Sequence, residues 1–385
     1  MAVGHSDDID PEDAVAAVLE QCDRSLDGAR ATAGLLFSTS DTDLVPIVAG
    51  VRRAYPDIQL VGSTSAGEMS SVLGFQEDSV MLALFASDSV DITAGVGLGV
   101  SDSSEAAARQ AIEEALSKTD KPPCLCIVMP CITADDPSIL LRELQRSLPE
   151  CVPVLGGGSA PRTAPNEALR ARQFYNHRIL EDAVSVLLFS GSLSYSFGVD
   201  TGWRPVGSRG RVTEVSGTTI HRIDGEPALA FYQRYLGPDV KPTPANPLAV
   251  FEGDTDDFYL RVPLPSDAPA GSVRLSGGVP EDATVQLTVA VTDEIFAGTR
   301  SAVQKAMKGF PVASSPEAAL VFSCAIRKLV LGTRTGAELD IARGELGEAI
   351  PICGMYCFGE IAPIATGATR FHNETIVAVL LGEAG

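Results

Sequence analysis

The sequence predicts a mixed α/β protein of two domains, made of strand–helix–strand units with additional antiparallel strands. Three observations predict it. Short continuous apolar runs alternate with amphipathic helical stretches, glycines stand where the second strand of each unit ends, and runs of short strands with turn residues lie between the units. At 385 residues the chain is also longer than one hydrophobic core usually serves.

The elements follow in order. Asp10-Pro11-Glu12-Asp13 opens a helix, with a capping Asp, Pro in the first turn and acids near the positive end of the dipole. Its apolar positions Val15, Val18, Leu19 and Cys22 keep helical spacing. Residues 33–38 read as a buried strand, residues 44–55 as a helix ended by Pro56, and residues 58–61 as a second strand leading into Gly62-Ser-Thr-Ser-Ala-Gly67-Glu68. The same arrangement returns near the C-terminus: strand 319–323, helix 337–346, strand 350–353, then Gly354-Met-Tyr-Cys-Phe-Gly359-Glu360. A looser third copy runs through 124–129, 138–148 and 152–155 to Gly156-Gly-Gly-Ser159. Three such units imply parallel strand pairs, and open α/β sheets gather ligands at the carboxyl ends of such strands. Residues 80–85, 90–96, 183–189 and 194–199 read as antiparallel pairs. Further on, 225–235 reads as a helix, 258–262, 273–275 and 285–289 as strands, and 294–307 as a helix. This reading divides the chain into a helical lead (1–30), an N-terminal domain (31–224) and a C-terminal domain (225–385).

Fifty acidic against 29 basic residues give a formal charge of −21. A field of that sign repels phosphate backbones and anionic lipid, so neither nucleic acid nor membrane is an expected partner. The first residues lack the basic and apolar regions of a signal peptide, and the apolar runs are strand-length, which predicts a cytoplasmic location. The eight cysteines lie mostly in or beside apolar runs and read as reduced, buried thiols. No cysteine or histidine cluster has zinc-site spacing, so no metal is expected. No nucleophile elbow, phosphate loop or His-Glu-X-X-His helix occurs, so the chain is expected not to be an enzyme.

Seven strings in fixed order carry a resemblance. They are Gly34-Leu-Leu-Phe-Ser38, the turn Gly62–Glu68, Ser196-Phe-Gly-Val-Asp200-Thr-Gly-Trp203-Arg-Pro-Val-Gly207, Asp224-Gly-Glu-Pro-Ala-Leu, Phe322-Ser-Cys324-Ala-Ile-Arg327, the stretch Gly354–Pro363, and Phe371-His-Asn-Glu-Thr375. From about residue 33 to 383 the chain resembles FIST-domain proteins, with N-terminal and C-terminal FIST regions. The resemblance implies a signal-input module that binds a small ligand, with amino acids as one ligand class. It implies action on a separate partner: a histidine kinase, a cyclic-di-GMP enzyme or a chemoreceptor. An alternative it carries is a haem-binding nitric oxide sensor regulating a partner kinase.

The candidate ligand-binding residues are Ser63, Thr64, Glu68, Arg204, Cys324, Arg327, Tyr356 and Glu360. Glu68 and Glu360 would accept hydrogen bonds from an ammonium, while Ser63, Thr64 and turn amides would donate to a carboxylate. Against this stands the bland reading, in which glycines permit tight turns and the acids cap nearby amides. Arg327, and more weakly Arg204, offers a guanidinium fork to a carboxylate or, equally, a structural ion pair. Cys324 with Glu360 is the pair a thiol-dependent enzyme would use. Were haem bound, His372 or His177 would be its axial ligand.

Overall fold

The computed structural model describes the chain except residues 133–135, 161–170, 252–255, 266–268, 365–366, 368 and 385. Among the described residues there are eight α-helices, three six-stranded mixed sheets and a seven-stranded antiparallel sheet, with seven of the helices around the mixed sheets and one on the antiparallel sheet.

The three mixed sheets share one plan. In the first, Ala33–Thr39 and Gln59–Ser65 run parallel around helix Leu44–Ala54, Val80–Phe85 pairs antiparallel with Ala33–Thr39, and Ala2–Ser6 closes that edge. In the second, Pro123–Pro130 and Val154–Gly157 are parallel around helix Pro137–Arg146, flanked by Ala183–Gly191 and then Val90–Leu98. In the third, Ala318–Cys324 and Ile352–Cys357 are parallel around helices Ala325–Leu331 and Ala337–Leu346, flanked by Ile376–Glu383 and then Leu193–Asp200. The expected parallel pairs are therefore present in all three units.

A short hairpin completes each sheet, and it comes from another repeat. Glu68–Ser70 with Gly74–Gln76, from the first repeat, pairs with Ile352–Cys357 of the third. Gln173–Tyr175 with Arg178–Leu180, from the second, pairs with Gln59–Ser65 of the first. Glu360–Pro363 with Thr369–His372, from the third, pairs with Val154–Gly157 of the second. The exchange closes a ring with pseudo-threefold order.

Packing explains why the strands read as continuous apolar runs. Their inner faces meet in one central core that includes Phe37, Leu187 and Phe322. Their outer faces are covered by helices: Pro11–Leu26 and Leu44–Ala54 on the first sheet, Ser104–Leu116 and Pro137–Arg146 on the second, Thr292–Gly309 and Ala337–Leu346 on the third. A strand buried on both faces has no polar alternation to show. Close approach fixes one glycine in each repeat. A Cβ on Gly62 would sit 1.8 Å from the Leu36 carbonyl oxygen, on Gly156 2.1 Å from that of Val128, and on Gly354 2.6 Å from that of Val321.

The structure departs from the sequence reading in three places. The segment 1–30 is not only a helical lead, because Ala2–Ser6 is a buried edge strand and helix Pro11–Leu26, capped by the Asp10 carboxylate, packs on the first sheet. Val80–Phe85 and Val90–Leu98 are not partners of each other, nor are Ala183–Gly191 and Leu193–Asp200; at each junction the chain leaves one sheet and starts the next. The stretch 204–289 forms a separate layer, inserted in the third repeat between its first strand and its first helix. Strands Arg204–Ser216, Thr219–Ile223, Leu248–Phe251, Phe258–Arg261 and Thr284–Val289 build most of it, and helix Ala228–Leu236 packs on it. Trp203 joins insert to ring, touching the cluster of Ala249, Phe251 and Leu260 with Ile295 and Leu331. No helix among the described residues is long and apolar enough to cross a membrane.

Candidate functional site

The threefold order places one polar side chain at the start of each exchanged hairpin. Glu68 stands opposite Met355, Gln173 opposite Ser63 and Glu360 opposite Gly157, and all three are fully buried. Each is held by a side chain at the equivalent position of the preceding strand exit. Ser65 Oγ donates to Glu68 at 2.5 Å, Gln173 Nε2 donates to Ser159 Oγ at 2.7 Å, and Cys357 Sγ donates to Glu360 at 3.4 Å. The residue before the following strand adds a second donor in two repeats: Ser79 Oγ to Glu68, and Thr375 N (3.1 Å) and Oγ1 (2.9 Å) to Glu360. Burial raises the Glu68 carboxyl to about 8 and that of Glu360 to about 7, against hydrogen bonds that lower both.

Among the described residues, the third of these positions adjoins a large cleft. A cavity of about 650 Å³ opens between the end of Leu193–Asp200, helix Thr292–Gly309, the hairpin strand Thr369–His372 and the insert. Asp200, Lys305, Phe258, His372 and Thr375 are among its walls. Lys305 Nζ pairs with Asp200 at 2.7 Å, so the two neutralise each other. His372 Nε2 lies 3.0 Å from the Ala362 carbonyl oxygen, and burial first, then Arg261 and Arg370, push its imidazole down to about 4, so the ring is neutral.

Between the wall residues His372 and Thr375 in the chain lies Glu374, which is not itself part of the lining. It is fully buried, its backbone is left-handed (φ 56°), and neither carboxylate oxygen has a hydrogen-bond partner among the described residues. Burial, and then the Glu360 charge, drives its carboxyl well above the ordinary range, with Arg327 acting the other way. The Tyr232 hydroxyl, on insert helix Ala228–Leu236, is likewise buried without a partner, and the charge of Glu374 is felt there. Cys324 and Cys357 stand side by side in register on the parallel pair, beneath Glu360. Burial, and then the Glu360 carboxylate, raises both thiols far above their usual value, so they stay protonated.

The remaining sequence candidates are spread through the fold. Arg327 is fully buried in an ion pair with Glu338 (2.6 Å) and also donates to the Thr201 and Ile295 carbonyls and Thr299 Oγ1. Tyr356 donates to the same Glu338 at 2.7 Å. These two are joined to each other through Glu338, with Ser323 and Thr299 completing its shell. Ser63 lies in the core against Met355 Sδ, and Thr64 pairs with the backbone of Arg172. Arg204 is exposed and paired with Glu294 at 2.9 Å. His177 sits in the exposed turn of the hairpin Gln173–Leu180, on a different sheet from His372. Neither histidine fits an axial haem ligand as placed, since His372 Nε2 faces a carbonyl and His177 stands in an open turn. Sequence reasoning missed Glu374 and Tyr232. The string Phe371–Thr375 was in view, but nothing in it distinguishes a buried acid from an ordinary turn residue.

A second cleft of similar size, about 630 Å³, lies at the opposite end of the strands near Tyr55, Gln59 and Lys118, and contains none of the candidates.

The cleft lies beside edge strand Leu193–Asp200, at the end of the third sheet where its parallel strands exit, and α/β folds commonly hold small ligands at that end. The chain matches the FIST N domain over residues 32–226 and the FIST C domain over residues 228–363, and it belongs to this family. FIST domains are generally regarded as small-ligand-binding domains of signal transduction. Two relatives, uncharacterized proteins of Mycobacterium bovis and Mycobacterium tuberculosis, are each 27% identical over 218 residues, covering 53% of this chain and 54% of theirs. The chain thus spans about half the length of the curated relatives it matches. Among solved structures, T. maritima PurL complexed with FGAR is 12% identical, with 100% of this chain and 72% of that one covered, at a TM-score of 0.24, too low to bear on fold or function.

Proposed function

We propose that this protein is a signal-input module whose ligand carries a protonated amine and binds in the cleft bounded by Asp200, His372 and Thr375. The observation that carries the reading is Glu374, a buried carboxyl with no hydrogen-bond partner among the described residues. Burying such a group costs about 1–3 kcal/mol as an unsatisfied polar atom, and several more if it is ionised. An ammonium reaching it converts that cost into a charge-assisted hydrogen bond. Amino acids meet this requirement, and the Tyr232 hydroxyl supplies a further donor or acceptor. Binding, not catalysis, is the role this chemistry supports, because the neighbouring thiols are held protonated.

Ring and insert meet at this cleft, so a ligand that bridges them shifts the population of insert positions by its differential affinity for them. A separate signalling protein, a histidine kinase, cyclic-di-GMP enzyme or chemoreceptor, would read that shift. The test is thermal unfolding against a panel of amino acids and amines, with haemin as a separate arm. A ligand at a hundredfold excess over its Kd adds about 2.7 kcal/mol. A raised midpoint with one or a few amines supports the reading; no shift with any amine, or a shift with haemin alone, overturns it.

A further inference from the structure

A third cleft, about 390 Å³, opens where the insert meets the second sheet. It lies along the same hairpin strand, Thr369–His372, that borders the acid-backed cleft, but it is walled by Thr369, Arg370 and Phe371 instead of His372. Three arginines line it from three separate elements: Arg142 on helix Pro137–Arg146, Arg370 on the hairpin, and Arg261 at the end of insert strand Phe258–Arg261.

We propose that this cleft binds the oxyanion, phosphate or carboxylate, of a small anionic ligand. Basic residues are outnumbered 29 to 50 in this chain, so three arginines converging on one cleft is a local reversal of charge. Arg261 is held rigidly: it is buried, donates through Nη1 to the carbonyls of Leu260 (3.0 Å) and Phe371 (2.8 Å), and lies 4.3 Å from the centre of the Tyr259 ring. Arg142 is exposed and makes no hydrogen bond or ion pair among the described residues, so its fork is available. Gln145, one helical turn on, adds a neutral amide to the same wall. One acid, Asp136, also lines it; its Oδ1 caps the helix, accepting from Ser138 N (3.0 Å), Ser138 Oγ (2.7 Å) and Gly278 N (3.4 Å). Guanidinium forks match phosphate and carboxylate geometry, and fixed ones lose little entropy on binding. The remote acidic charges oppose an anion weakly, since screening sets in beyond about 8 Å at physiological salt.

The experiment is a calorimetric titration of the whole protein with inorganic phosphate and, separately, with glutarate. Wild type is compared with Arg142→Gln, Arg142→Gln/Arg370→Gln and Glu374→Gln, each first checked for an unchanged fold by circular dichroism. We expect at least one anion to bind wild type, with affinity falling tenfold or more in Arg142→Gln and as salt rises, and unchanged in Glu374→Gln. Preference for phosphate or for glutarate then identifies the source of the oxyanion. Binding of neither anion at 10 mM, as a rough ceiling of about −2.7 kcal/mol, overturns the proposal. Affinity indifferent to Arg142→Gln, or an equal loss in Glu374→Gln, also overturns it. The Glu374→Gln arm keeps this outcome distinct from failure of the amine-binding reading.

Discussion

Glu68→Gln changes one atom in a fully buried site, and its effect should depend on pH in a way the structure sets. Burial raises the Glu68 carboxyl from 4.5 to about 8. A carboxyl raised on folding is protonated in the folded chain and ionised in the unfolded one throughout the window between those values. Stability from this group is therefore fully present below 4.5 and is lost as pH rises towards 8. Integrated from pH 5 to pH 7, that loss is about 2.5 kcal/mol, from ~1.36 kcal/mol per pH unit with the first part of the window only partly titrated. Glutamine does not titrate, and its Oε1 still accepts from one of the two serines, Ser65 or Ser79, while its Nε2 donates to the other. The difference in urea-unfolding free energy, variant minus wild type, should rise by about 2 to 2.5 kcal/mol between pH 5 and pH 7. Every other titrating group is common to both proteins and cancels. A difference that stays flat across that range, or falls, would refute the burial argument for this acid and for its counterpart Glu360.

Two further perturbations probe the same neighbourhood. Glu338→Gln leaves the buried Arg327 guanidinium without its counter-charge, and should cost about 3–5 kcal/mol in urea unfolding, with part of it recovered in Arg327→Met/Glu338→Gln; a cost under about 1 kcal/mol would mean the pair is not closed as described. In the native protein a disulfide reagent should titrate the exposed Cys151 quickly, while Cys324 and Cys357 react only after unfolding; fast modification of Cys324 would revive the thiol-enzyme reading.

Much of the ring was legible because its parallel strands are buried on both faces, leaving unbroken apolar runs such as Leu320-Val-Phe322. The glycines at Gly62, Gly156 and Gly354 were visible for a related reason: each tolerates no Cβ against the neighbouring parallel strand. The hairpins were not legible. Glu68-Met-Ser70 is three residues long, shorter than any periodicity test, and its pairing partner lies nearly 300 residues away, so the exchange between repeats has no local signature. Ala2–Ser6 was missed because five residues are too few to show a period and the polar stretch after them dominates the N-terminus, although His5 is buried between Ser70 and Ser79. In the site, Glu68 and Glu360 stood out by their repeated Gly-Glu context. Gln173 did not, since the corresponding segment of its repeat is longer and ends in an amide. The fates of Arg327 and Glu374 are tertiary matters. Glu338 takes the first, and among the described residues no side chain takes the second.

The most direct test of the account is an isothermal titration of the amine ligand from the thermal panel into wild type and Glu374→Gln. A buried charge-assisted hydrogen bond is worth about 1.5–3 kcal/mol, so the variant should bind some 10- to 150-fold more weakly while unfolding at no lower temperature than ligand-free wild type. Affinity within threefold of wild type in a folded variant would contradict the claim that Glu374 awaits the ligand's amine.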